Sequence, residues 1–177
     1  MRTAEISLFA VFALAGAGAL AQDIRSSLPA ADNWTISETT SPVDYTPVVV
    51  AVTRSHDSAE NSVMQLSLHC RNGQTSIVVA GQSLSGRGED YATSYRLNGD
   101  KPVQTGAAAS SFGRGFALKG DVVSLLQSLP EEGDIAIRLS PRVGAAREGF
   151  FSLKGLKAVR IKLAAACKWP QATKPRN

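Results

Sequence analysis

Histidine and cysteine are scarce in this chain, with two of each among 177 residues. With the two histidines separated and the two cysteines expected to pair with each other, no zinc ligand set remains, and the cysteines do not form the Cys-x-x-Cys pair of a redox motif. The nucleophile elbow Gly-x-Ser-x-Gly is also missing: residues 81–86, from Gly81 through Ser83 and Ser85 to Gly86, come nearest and lack the second glycine. His56 precedes Asp57 directly, but neighbours along the chain seldom orient one another as a catalytic pair does. Neither Gly86-Arg87-Gly88 nor Gly113-Arg114-Gly115 has phosphate-loop spacing or a following lysine, so both read as turns. The acidic pairs Glu89-Asp90 and Glu131-Glu132 sit beside glycines and read as solvated loops rather than calcium ligands. The sequence therefore assigns no metal, no cofactor and no catalytic residue, and an enzyme is not the expected class.

Long hydrophobic runs are missing too. The most apolar stretch, residues 6–20, is diluted by alanine and glycine and falls short of the roughly 20 strongly apolar residues that span a bilayer. Arg2 lies before it, and Ala19, Leu20 and Ala21 close it with a small-x-small pattern. These features predict an export signal over residues 1–21 with cleavage after Ala21, and no stable membrane anchor. No cysteine follows the apolar run to be lipidated. Subtracting 21 residues from 177 leaves 156, the size of one domain with one core. Because Arg2 and Glu5 leave together, the formal charge stays at +4, which suits an anionic partner without identifying one. Nucleic acid is not an expected partner of an exported chain.

Cys70 and Cys167, an even pair in an oxidising compartment, are expected to form one disulfide. Closing so long a loop removes about 4 to 5 kcal/mol of unfolded-state freedom in the chain-entropy view. Residues 22–33 are polar and aperiodic and read as a flexible lead-in. Alternation over 34–39 predicts a strand, and the β-branched run 46–53 predicts one covered on both faces. In 63–70, Leu66, Leu68 and Cys70 share one face and Gln65, Ser67 and His69 the other. Asn72-Gly73 then favours a type I′ turn into a strand at 75–80. Tyr91, Thr93, Tyr95 and Leu97 alternate with Ala92, Ser94 and Arg96 ahead of Asn98-Gly99, another strand entering a turn. The small, Gly-rich segment 105–115 reads as a loop, followed by a short strand at 116–118.

The period changes at 121–129, where Val122, Leu125, Leu126 and Leu129 fall on one helical stripe, Asp121 can cap and Pro130 terminates. Strands are predicted again at 134–140 and 150–153. Over 155–167, Leu156, Val159, Leu163 and Cys167 share a helical stripe, which aims Cys167 at the core and towards Cys70. Residues 170–177 read as a disordered tail. The predicted architecture is a single α+β domain over residues 34–169: about seven strands in a mainly antiparallel sheet or sandwich, with two helices, the second C-terminal. Basic residues recur in the last third, and Lys157, Arg160 and Lys168 on one polar helix face are interaction candidates for an anionic envelope surface or an acidic envelope protein.

Four segments together resemble the VasI/TagO family of type VI secretion-associated envelope proteins. They are Leu68-His69-Cys70 with Thr75, Tyr95-Arg96-Leu97-Asn98, Phe150-Phe151 through Gly155-Leu156, and Cys167-Lys168-Trp169. Asn98 stands where that pattern usually has aspartate. The invasion-associated locus B family offers a second resemblance, with a poorer fit of cysteine number and spacing. The first resemblance implies an exported, periplasmic accessory or binding role in the bacterial envelope, with Tyr95 and Arg96 as further interaction candidates and no catalytic residue to carry over. The alternative is a secreted virulence or stress-response factor that engages a host or envelope surface. No oligomeric state is implied.

Overall fold

A computed structural model describes residues 33–56, 63–82, 84, 87 and 90–170. The expected signal, nearly all of the lead-in and residues 171–177 of the tail lie outside the described residues, as do Asp57, Gly86, Gly88 and Glu89. In chain order the elements are β1 (Thr35–Thr40), β2 (Pro47–Arg54), β3 (Met64–Arg71), β4 (Gln74–Gly81), β5 (Tyr91–Leu97), β6 (Val103–Thr105), β7 (Ala107–Ala109), β8 (Phe116–Leu118), α1 (Val122–Ser128), β9 (Asp134–Pro141), β10 (Arg147–Ser152) and α2 (Leu156–Cys167). The fold is α+β, with the strands in two antiparallel sheets: six in the order β1-β2-β3-β4-β8-β7 and four in the order β10-β9-β5-β6.

Alternation sets the faces. In β3, Met64, Leu66, Leu68 and Cys70 are buried, while Gln65 and Arg71 are exposed and His69 is half-buried. In β9, Ile135, Ile137 and Leu139 point inward and Arg138 outward. These inward rows meet Leu126 and Leu129 of the α1 segment and Leu156, Val159 and Leu163 of α2 in one core. Such a stripe along α2 is what a helix lying on a sheet must bury, and α2 lies across β2, β3 and β4. Asn72 and Gly73 take φ of 52° and 72°, the two positive angles that a type I′ hairpin needs.

The strand count departs from the expected seven. Residues 105–115, expected to be a loop, contain β7, and β6 precedes it. Three-residue strands, Val-Gln-Thr in β6 and Ala-Ala-Ala in β7, are too short to show a periodicity, and β7 pairs with the edge that β8 offers. The predicted covering of both faces of β2 is also corrected. Val49, Ala51 and Thr53 are buried, whereas Val48, Val50 and Val52 are only half-buried on the outer face.

Cys70 and Cys167 form the disulfide, with Cα atoms 5.7 Å apart across a separation of 97 residues. Both are buried in the core. The bond fastens the end of α2 to the β3–β4 hairpin, and the Trp169 indole N–H donates to Thr75 Oγ1, 2.7 Å away, beside it.

Candidate functional site

The outer face of the four-stranded sheet gathers charge of both signs around one aromatic ring. Register places Arg96 of β5 opposite Ala136 of β9, and Ala136 opposite Phe150 of β10. A methyl group at the centre of this row leaves room above it, so the Arg96 guanidinium leans across to within 5.6 Å of the Phe150 ring centre. There it gains cation–π attraction and an ion pair with Glu148 at 3.3 Å. In the adjoining row Arg138 stands between Ser94 and Glu148.

His56 enters from the end of the β2 segment. Its backbone N–H donates to Phe150 O at 2.9 Å, and its imidazole Nε2 lies 2.9 Å from Asp134 Oδ1. The two sheets are thus tied at the mouth of the site. Asn98 Oδ1 accepts the Asp134 N–H at 2.9 Å and occupies the space that a side chain at Gly133 would need. An aspartate at residue 98 would offer the same acceptor.

Between these groups runs a groove of about 420 Å³ lined by Arg96, Asn98, Asp134, Ala136 and Phe150. A recess of about 190 Å³ continues it past Arg138 and Glu148. Such a surface can pair with a ligand's charged groups and cover an apolar portion with Phe150. Among the described residues no group of three or more His, Cys, Asp or Glu side chains is placed to hold a metal ion, and no helix is long and apolar enough to cross a membrane.

The sequence candidates separate in space. Arg96 is central to the groove, whereas Tyr95 belongs to the other face of β5, packs against the core and lines the smaller recess. Lys157 and Arg160 converge instead on Glu131, at 3.4 and 3.6 Å. Arg160 was expected on an open basic face and proves to have a different task. Its side chain is only 17% exposed, and Nη1 donates to Leu129 O at 2.8 Å and Leu126 O at 3.3 Å. These donors close the C-terminal end of α1, whose last carbonyls have no partner within the helix. Lys168 is exposed at the C-cap of α2, with φ of 51°.

Asp134 and Glu148 were not singled out from sequence, and Phe150 was named there only within a strand and a resemblance segment, not as a site residue. The available signal was parity: Phe150 shares its face of β10 with Glu148 and Ser152, so a large apolar ring stands among polar neighbours. Comparison with profiles of known protein families, with curated protein sequences and with solved structures returns no match to this chain.

Proposed function

We propose that the chain is an exported accessory protein of the bacterial envelope, periplasmic and associated with type VI secretion, that binds an envelope partner through the Arg96 groove. The observation that carries this reading is the buried Cys70–Cys167 disulfide. A staple within the core suits an oxidising compartment, and the apolar segment 6–20 supplies a route there. The groove adds a binding surface that mixes ion-pairing groups with one aromatic ring.

The test is crosslinking in living cells, followed by mass spectrometry of the captured partner and of the mature N-terminus. Capture of secretion-apparatus envelope components by the wild type, lost in Arg96→Glu while the disulfide and Tm are retained, supports the reading. An uncleaved N-terminus, or capture indifferent to Arg96, overturns it.

A catalytic reading draws on one observation, the His56–Asp134 pair at the mouth of a polar groove. Hydrolysis of chromogenic esters by the purified protein, abolished in His56→Ala, would favour it over a binding role.

A further inference from the structure

The six-stranded sheet carries a second, differently built surface. Residues 41–46 connect β1 to β2 in a loop closed on itself: the Ser41 N–H donates to Thr46 O and the Tyr45 N–H to Ser41 O, both at 2.9 Å. Thr46 Oγ1 lies 2.9 Å from Asp44 Oδ1. All this bonding holds two apolar side chains outward, Val43 at 85% and Tyr45 at 79% exposure. Tyr45 also carries a φ of 55°, a left-handed conformation that a bulky side chain adopts only under strain. The loop therefore keeps a strained, exposed aromatic residue that adds little to the core.

Beside this loop the outer face of the six-stranded sheet forms a groove of about 410 Å³. Its floor is Val48 and Val50, and Pro42 of the loop is one wall. Opposite stands Phe112, stacked on His69 with ring centres 4.8 Å apart and planes 20° from parallel. Among the described residues Arg71 is the one cation of the lining, no carboxylate lines the groove, and none pairs with Arg71. The loop's own carboxylate, Asp44, is engaged by Ser41 and Thr46.

We propose that this loop and groove form a docking site for an acidic protein segment, which seats an apolar side chain between Phe112 and the valines, sets a neighbouring carboxylate on Arg71, and receives Tyr45 and Val43 against its own surface. An exposed tyrosine beside an apolar slot with one arginine has the composition of an interface centre. A single arginine is a weak attractor for an anionic membrane, which needs several cations, and a second copy of this chain would bring the same cation to the same place. This site shares no residue with the Arg96 groove, so the two stand or fall separately.

The test is selection of short random peptides displayed on phage against the intact, disulfide-bonded protein. Peptides pairing an aromatic or aliphatic residue with Asp or Glu are expected to be enriched. Their synthetic forms should lose affinity about tenfold in Arg71→Gln and in Tyr45→Ala, and keep it in Arg96→Gln. Tyr45→Gly gives an independent readout: it relieves the positive φ, so Tm should hold or rise while peptide affinity falls. No enrichment, enriched peptides without an acidic residue, or affinity indifferent to Arg71 overturns the proposal. So does binding to phosphatidylglycerol vesicles in place of peptides, or a dimer in the ultracentrifuge that Tyr45→Ala dissolves.

Discussion

Trp169 and Thr75 lie 94 positions apart in sequence, yet the indole N–H of one donates to the hydroxyl of the other at 2.7 Å. Thr75 is also the cross-strand partner of Cys70. The disulfide and this hydrogen bond therefore fasten the same end of α2 to the same hairpin by two different chemistries. Cys167→Ser should cost about 2 to 5 kcal/mol, and Trp169→Phe, with the disulfide intact, about 1 kcal/mol. Urea unfolding of both variants, with and without reductant, measures the two contributions. A Trp169→Phe loss as large as that of Cys167→Ser would show that the indole is the main fastener.

Helix α1 has only seven residues, too few to be stable on propensity alone. Asp121 closes its start, accepting the Ser124 N–H at 3.0 Å, and Arg160 closes its end from another element. Arg160→Met keeps the aliphatic stem but removes the donors. It should cost about 1.5 to 3 kcal/mol, as for hydrogen bonds to charged groups. Faster amide exchange confined to residues 125–129 would locate the damage at α1. Arg160→Lys should rescue only part of the loss, since one ammonium cannot reproduce a forked guanidinium.

The Thr93 hydroxyl is buried on the inner face of β5 with no hydrogen-bond partner among the described residues. A stranded polar group of this kind lowers stability, so Thr93→Val, nearly equal in shape, should raise it by about 1 kcal/mol. Thermal unfolding decides the matter. A lower Tm would mean that the hydroxyl has a partner after all.

Burial beneath Phe112 lowers the pKa of His69 from its ordinary value of 6.5. The unfolded chain then takes up a proton more readily than the native one. The stability linked to this group is complete above pH 6.5 and declines as pH falls through 6.5 towards the lower native value. His69→Gln should flatten the pH dependence of Tm over this interval relative to the wild type. Unchanged slopes would place the titrating group elsewhere.

Where side-chain parity and turn chemistry are strong, the sequence was legible. Asn72-Gly73 marked its hairpin, Asp121 its helix start, and the stripes through Cys70 and Cys167 their meeting in the core. What could not be read depended on registers between distant strands. Ala136 gives no local sign that it will separate Arg96 from Phe150. His56 meets Asp134 across 78 positions while its sequence neighbour is another aspartate. Arg160 looked like a solvated base because its carbonyl partners belong to a helix more than 30 residues away.

The separation of 97 residues between the disulfide partners also imposes an order of events. A chain that emerges N-terminus first delivers Cys70 with its hairpin long before Cys167 follows. Until then the Cys70 thiol has no intramolecular partner to bond. Closing the bond requires the last helix, so the staple forms only on a chain that has been made through Cys167.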